Sequence, residues 1–207
     1  MEEIDLIVLV ADMDAYWAIR TLLEKRHRSL GIRRDIQFEI VRHPQRDSGV
    51  LLHAHEFLRQ YLNRAEHALV ILDREGSGRD QCLAEDLERE IEDRLVRNGW
   101  PSDRVAAIVL DPELEVWVWT RSPHVARVIG LNVDALQAVL DSEPARPDGK
   151  PQHPKEALEK ALRRSGRPFS ARIFQELAEN VSLRASERAF DKFKYTLQGW
   201  FPPEREG

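Results

Sequence analysis

Three aliphatic runs in this chain are continuous rather than alternating, and each of them ends in acids. Leu6-Ile7-Val8-Leu9-Val10 leads into Asp12 and Asp14. Ala68-Leu69-Val70-Ile71-Leu72 leads into Asp73-Arg74-Glu75-Gly76, and Val105-Ala106-Ala107-Ile108-Val109-Leu110 leads into Asp111-Pro112-Glu113-Leu114-Glu115. A strand without polar alternation is buried on both faces, as parallel strands covered by helices are. The segments between the runs supply such helices. From Asp14, the apolar positions Trp17, Ala18, Leu22 and Leu23 recur at helical spacing and end near Gly31. Residues 49–63 carry Leu51, Leu52, His55, Leu58 and Leu62 on one side, and Leu83, Leu87, Ile91 and Leu95 fall four apart before Asn98-Gly99 stops the helix. Ile36, Phe38 and Ile40 alternate with polar residues, which predicts a strand with one wetter face. The resulting β-α-β-α-β-α-β order predicts an α/β fold with a mainly parallel sheet flanked by helices.

The second half is less regular. Residues 113–130 fit a strand or a helix equally well, because Trp117 and Trp119 alternate while Glu113–Trp117 could open a helix. Pro144, Pro147, Gly149, Pro151 and Pro154 mark a loop over 141–154. Helices are expected at 155–164, after Ser170 (Ile173, Phe174, Leu177) and near 184–199 (Phe190, Phe193, Leu197). The organisation expected is an α/β domain over 1–140 and a Pro-rich loop with a helical C-terminal extension over 141–207.

At 207 residues and 42% hydrophobic composition the chain can bury a core of ordinary domain size. A lone cysteine, Cys82, rules out an internal disulfide and a thiolate zinc cluster. No apolar stretch reaches the roughly 20 residues of a membrane span. Met1-Glu2-Glu3 runs straight into a strand pattern with no basic leader, so a cytoplasmic protein without membrane association is expected. Residues 146–207 carry 13 Lys/Arg against 9 Asp/Glu, while 1–145 carry 18 against 27. An acidic body suits a cation site, and a basic tail could meet a phosphate backbone.

In an open parallel sheet, ligands bind beyond the carboxyl ends of the strands. Acids gathered there repel one another unless a hard cation neutralises them, and oxygen-only ligands suit Mg²⁺, Mn²⁺ or Ca²⁺. Asp73 and Glu75, two apart at a strand end, project on one side. Gly76 and Gly78 then let the backbone turn sharply. Of the first acids, Asp12 is favoured for chemistry and Asp14 for capping the following helix. Glu113 and Glu115 share a face if their segment is extended, and point apart if it is helical. The structural alternative for these acids is helix and turn capping, with Asp80 capping the helix that follows Gly78. Arg74, Arg79 and Lys150 are candidate phosphate contacts. His43 and His124 could approach the site, whereas His53 and His55 face apart on a helix. Trp100, Trp117, Trp119 and Trp200 could stack bases, although packing in the core explains them as well.

Val10-Ala11-Asp12-Met13-Asp14, Leu72-Asp73-Arg74-Glu75-Gly76 and Pro112-Glu113-Leu114-Glu115-Val116-Trp117 together resemble the Toprim pattern. That pattern has an acid after the first strand, an acidic pair after a central strand and a later acidic motif. Glu115-Val116-Trp117, the Lys150-to-His153 segment and the closing Phe-rich helix are similar to small Toprim-like proteins of bacterial anti-phage loci, relatives of the OLD-type nucleases. A component of methylation-associated defence systems is the nearest likeness. The resemblance implies a Toprim-like (Rossmann-like) fold and Mg²⁺ or Mn²⁺ as cofactor. It makes Asp12, Asp73, Glu75 and Glu115 the catalytic and metal-holding residues. The activity implied is a divalent-metal-dependent phosphodiester hydrolase of nuclease type, with nucleic acid and other defence-system subunits as partners. Two departures stand out: Ala11-Asp12 where the family has Glu, often followed by Gly, and Glu75 where it has Asp. They also admit a non-catalytic Toprim-like module that binds nucleic acid or a partner protein.

Overall fold

The aliphatic runs form three strands of a four-stranded sheet in which every neighbouring pair is parallel. The structure, a computed structural model, describes residues 3–120, 122–180 and 187–203. Its strands are β1 (Ile4–Val10), β2 (Phe38–Arg42), β3 (Ala65–Asp73) and β4 (Val105–Leu110), in the order β2-β1-β3-β4. The helices among the described residues are α1 (Met13–Lys25), α2 (His27–Leu30), α3 (Arg46–Phe57), α4 (Ala84–Arg97), α5 (Pro123–Ile129), α6 (Val133–Leu140), α7 (Pro154–Ser165), α8 (Arg172–Asn180) and α9 (Arg188–Trp200). The fold expected from the sequence is therefore the one observed: a parallel α/β sheet flanked by helices, with a helical C-terminal part.

Both faces of the sheet are covered, which is why its strands carry no polar alternation. Leu6, Val8, Val10, Leu69, Ile71, Ile108 and Leu110 pack on one side with α1 and the helices from α5 to α9. Ile7, Leu9, Val70, Leu72, Ala107 and Val109 pack on the other with α3 and α4. This division follows from right-handed crossovers. The chain steps outward from β1 to β2 through α1, then back across β1 to β3 and on to β4 through α3 and α4. The winding thus reverses between β1 and β3, and their carboxyl ends open a crevice at that point. Buried residues from α7, α8 and α9 (Leu158, Phe174, Phe193, Leu197) lie in the same core as Leu6 and Val8.

Several boundaries differ from the sequence reading. Ile36 is buried but precedes β2. The helix expected at 49–63 starts at Arg46 and tightens into a 3₁₀ turn over Leu58–Tyr61. Residues 113–130 are neither one strand nor one helix. A 3₁₀ turn over Leu114–Trp117 is followed by α5, which Ser122 caps with Pro123 in the first turn. α9 starts at Arg188, with Glu187 as its cap. Residues 184–186 of the expected last helix lie outside the described residues. No described helix is long and apolar enough to cross a membrane.

β4 is an edge strand, and its outer edge is closed by side chains instead of a fifth strand. The Ala107 N–H donates to Glu92 Oε1 (2.9 Å) and the Val109 N–H to Glu88 Oε1 (2.8 Å). Arg188 of α9 donates to both Glu88 oxygens (3.0 Å each) and to the Val109 carbonyl (2.5 Å). Lys192 bridges Glu88 Oε2 (3.0 Å) and Glu92 Oε1 (2.9 Å). Glu88 is only 2% exposed, so this network replaces the ladder that water could not supply there. Removing one member of a buried, fully paired network leaves the others desolvated and unpaired. Glu88→Ala should therefore cost about 3–5 kcal/mol, read as a lower urea midpoint. Glu88→Gln, which keeps an acceptor for the Val109 N–H, should cost clearly less; equal losses would show that the backbone hydrogen bond contributes nothing.

Candidate metal centre

The crevice between β1 and β3 is floored by backbone that has run out of strand partners, and carboxylates take up its free N–H groups. β1 ends at Val10, and two residues later Asp12 becomes the N-cap of α1. Its Oδ1 accepts the N–H of Asp14 (3.0 Å) and of Ala15 (2.9 Å). The cap thus falls to Asp12, not to Asp14 as expected. Asp14 lies in the first helical turn with its side chain half-buried. β3 runs to Asp73, which pairs in register with Leu110 of β4. On the side where β1 has already ended, the Asp73 N–H is taken by Asp47 Oδ1 at 2.8 Å.

Asp47 is a site residue that the sequence reading missed. It sits in the first turn of α3, five residues beyond the end of β2, behind a tight connection. In that connection His43 is buried, and its Nδ1 accepts the Gln45 N–H (3.2 Å). Burial first, and His53 second, push its pKa down. Arg46 has a φ of 52°, in the left-handed region. A side chain at Gly49 would come within 2.3 Å of His43 Nδ1, so only glycine lets the loop close over the ring. Extending the search for acids to the carboxyl end of every strand, β2 included, would have found Asp47.

The third contribution comes after β4. Asp111-Pro112 is a cis peptide. Glu113 is extended (φ −158°, ψ 171°), and Glu115 lies in the 3₁₀ turn that begins at Leu114. Because one residue is extended and the other helical, neither two-apart rule applies, and both carboxylates turn inward. One carboxylate oxygen each from Asp73, Glu113 and Glu115 lie within 4.8 Å of one another. Glu113 is 7% and Glu115 3% exposed. Glu113 Oε1 accepts the Lys155 N–H (2.9 Å) in the first turn of α7, where the helix dipole favours a negative charge.

Glu75 does not join this group. The strand stops at Asp73, and a turn closed by the Ser77 N–H on the Arg74 carbonyl (3.2 Å) follows, with Gly76 at φ 87°. The turn breaks the side-chain alternation before Glu75, which is exposed at the rim. Nor does Asp80 cap α4. Leu83 holds the cap position without a side-chain bond, and the Asp80 carbonyl accepts from Arg74. The structure therefore brings together Asp73 and Glu115 of the expected set, adds Glu113 and Asp47, keeps Asp12 beside them as a cap and leaves Glu75 outside. No protein-family model, curated protein or solved structure matches this chain. The chemistry of the site follows from its own groups.

Those groups hold one another's protons. Asp73 is pushed well above the ordinary carboxylate range, by burial first and then by Asp47, Glu115, Asp12 and Glu113. Burial, followed by Glu113, raises Glu115 to about 8. Burial and Asp12 raise Asp14 to about 6. Asp47 and Glu113 are raised too, chiefly by burial. Lys155 faces most of these groups, and Arg46 also faces Asp14. Burial alone would lower the Lys155 pKa, but Glu115, Glu113, Asp73 and Asp14 together hold it above the usual lysine value. Among the described residues no Lys or Arg forms an ion pair with Asp73, Glu113 or Glu115; the charges face Lys155 only at longer range. Such a donor set could hold a metal ion. Opposite oxygens around a hard cation stand about 4–5 Å apart, so the observed spacing needs little rearrangement.

The remaining candidates are engaged elsewhere. Arg74 donates to Asp111 Oδ1 through Nε (3.0 Å) and Nη2 (2.8 Å), and Arg79 meets Cys82 and Glu90. His124 meets Arg127. Trp119 donates to the Pro154 carbonyl (2.9 Å), Trp117 to Glu187 (2.7 Å) and Trp200 to the Asp103 carbonyl (3.0 Å), while Trp100 is buried.

A raised carboxyl pKa ties stability to pH. Folded protein keeps the Glu115 proton between the ordinary value of 4.5 and about 8, where the unfolded chain releases it. Stability from this group is complete below the lower value and disappears as pH rises through the upper one; Asp14 acts in the same sense between 3.8 and about 6. The melting temperature in EDTA should therefore fall between about pH 5 and pH 8.5, and a divalent cation should restore it at the upper end. A melting temperature that rises with pH in EDTA would contradict this arrangement.

Proposed function

We propose that the protein is a divalent-metal-dependent phosphodiester hydrolase of nuclease type, using Mg²⁺ or Mn²⁺ and acting in bacterial anti-phage defence. The convergence of Asp73, Glu113 and Glu115 without an ion-paired cation carries the metal part of this reading. The choice of ion rests on chemistry: an all-oxygen, carboxylate-rich set prefers hard cations over zinc or copper. The nuclease and defence parts rest on the likeness of segments 10–14, 72–76 and 112–117 to Toprim and OLD-type proteins.

Asp73, Glu113 and Glu115 would hold the ion, with Asp47 and Asp12 fixing the backbone around it. A bound divalent cation supplies a polarised phosphoryl oxygen and a more acidic water. Asp14, with a pKa of about 6, is a carboxylate at neutral pH and sits among these groups, so it takes the proton of the attacking water. As the water oxygen bonds to phosphorus, the opposite P–O bond breaks and the departing oxygen leaves with a proton from solvent. Lys155 faces the same carboxylates and offsets charge that builds on the phosphoryl group.

A second reading has one observation in its favour. Glu75 is turned out to the rim and Asp12 is used as a cap, so the acidic pair of the Toprim motif does not assemble as written in the sequence. That departure fits a Toprim-like shell that binds nucleic acid or another defence subunit without cleaving it.

Calorimetric titration of Mg²⁺ and Mn²⁺ into wild type and Asp73→Asn separates the two. The hydrolase reading expects saturable binding at pH 7 with proton release, because Glu115 enters protonated, and at least a hundredfold weaker binding in the variant. It also expects metal-dependent cleavage of DNA or RNA that Asp73→Asn abolishes while its melting temperature is kept. Equal metal binding by the two proteins, or cleavage by the variant, would remove it.

A further inference from the structure

The two outer strands of the sheet are finished differently. β4 is buried along its whole length, and the side chains of Glu88, Glu92, Arg188 and Lys192 close its outer edge. β2 has no buried residue. Its odd-numbered positions face β1: the Leu6 N–H donates to the Gln37 carbonyl (3.2 Å), and the His43 N–H to the Val10 carbonyl (3.0 Å). Along a strand, the N–H and C=O of one residue point to the same side, and the side alternates from residue to residue. Phe38, Ile40 and Arg42 therefore turn their N–H and C=O groups away from the sheet. Among the described residues no hydrogen bond reaches these groups. Arg42 is exposed, and its guanidinium likewise has no hydrogen bond or ion pair among the described residues.

An open edge is ordinarily blunted by a proline, a lysine, a bulge or a covering segment. β2 reads Phe38-Glu39-Ile40-Val41-Arg42, pairs with β1 in unbroken register and takes its main packing from β1 and α1. The apolar groups beside the edge are left half-buried as well. Phe38 and Ile40, with Tyr16 of α1, lie at the margin of the core on the α1 side. The unpaired groups are complementary to themselves. If a second β2 runs antiparallel across a two-fold axis at Ile40, Ile40 meets the partner's Ile40 and Phe38 meets the partner's Arg42. Each such pair exchanges two hydrogen bonds, so every free N–H and C=O of both strands is used, and no shifted register uses them all. The unpaired guanidinium then lies beside a phenyl ring, the contact that Arg33 makes with Phe201 inside the fold at 5.6 Å. A strand of unrelated sequence would satisfy the backbone but not this match of cation and ring.

We propose that the free edge of β2 is a dimer interface, occupied by β2 of a second copy of this chain in the antiparallel register centred on Ile40. The two sheets join into one continuous sheet with both β2 strands at its centre. Because those strands run in opposite directions, the two acid clusters open at opposite ends of the joined sheet, and neither is covered by the contact. An interface built on one short strand from each copy is at the small end of stable contacts, so the dimer forms at micromolar concentration. The inference stands apart from the hydrolase reading and uses none of the acids.

Sedimentation velocity of the full chain from about 1 to 300 µM should show monomer passing to dimer. Ile40→Pro removes one outward N–H and leaves the bonds to β1 in place, because proline is tolerated on an edge whose N–H faces solvent. It should weaken the dimer about tenfold or more while the dilute protein melts within a few degrees of wild type. Ile40→Lys sets two ammonium groups face to face on the axis; it should weaken the dimer most at low salt, and it serves where Ile40→Pro fails to fold. Amide hydrogen exchange reads the register directly. Dilution of wild type should expose the amides of Phe38, Ile40 and Arg42 and leave those of Glu39, Val41 and His43 protected by β1. A wild type that stays monomeric at the highest concentration overturns the proposal, and is the result expected if a strand of another protein occupies the edge. A dimer of equal strength in a folded Ile40 variant, or one whose dilution leaves the β2 amides unchanged, overturns it as well.

Discussion

Mutual repulsion among buried carboxylates is the constraint around which the carboxyl end of this sheet is arranged. Asp12, Asp14, Asp47, Asp73, Glu113 and Glu115 come from four connections that meet where the winding reverses. Burial and the gathering of like charges raise the pKa values of Asp14, Asp47, Asp73, Glu113 and Glu115 until protons, local N–H donors or a cation offset the charge. All three means are provided for here. Protons remain on Glu115 to about pH 8, backbone N–H groups serve Asp12, Asp47 and Glu113, and Lys155 faces the group. The backbone donors share a second role. Each fills a vacancy that the fold creates anyway, at the start of α1, at the start of α7 and at the end of β3 beyond its β1 partner. The same carboxylates that repel one another therefore complete the secondary structure that holds them in place.

The sheet and its covering were legible because burial on both faces writes itself into composition. β1, β3 and β4 were readable as strands from continuous aliphatic runs, and the covering helices from Leu83, Leu87, Ile91 and Leu95 or from Trp17, Ala18, Leu22 and Leu23. The site was legible only in outline. Strand ends located Asp73 and the acids after β4, since position along a strand is a sequence property. The direction a side chain takes after the strand ends is not such a property. A turn of four residues removed Glu75, and one change from extended to 3₁₀ backbone at Leu114 brought Glu113 and Glu115 together. Asp47 was hidden for a different reason. Its neighbourhood to Asp73 depends on strand order, which places β2 and its following loop beside the β1–β3 crevice, and strand order is set by tertiary packing.

The helices after residue 150 show the same division. Their amphipathic spacing predicted their existence, and three of them lie in the core that faces β1. What spacing could not show is that α7 and α9 carry charged residues back to β4. Lys155 arrives at the acid cluster from the first turn of α7, and Arg188 and Lys192 arrive at the β4 edge from α9. Long-range pairing of this kind, here between residues 42 to 104 positions apart, leaves no periodic trace.

Glu88 and Glu115 show why burial alone does not mark a functional acid. Both are almost fully enclosed, at 2% and 3% exposure, and both flank β4. Glu88 meets a backbone N–H, an arginine and a lysine, so its charge is matched within the fold. Replacing such a group breaks a network whose members then stand unpaired, and the effect appears in stability. Glu115 meets another carboxylate at close range and a lysine only at a distance, so its charge is left unmatched and its proton is retained. A chain that can pair one buried glutamate so completely has the means to pair the other. That Glu115 stands instead with Asp73 and Glu113, their oxygens within 4.8 Å, is what a cation between them would require.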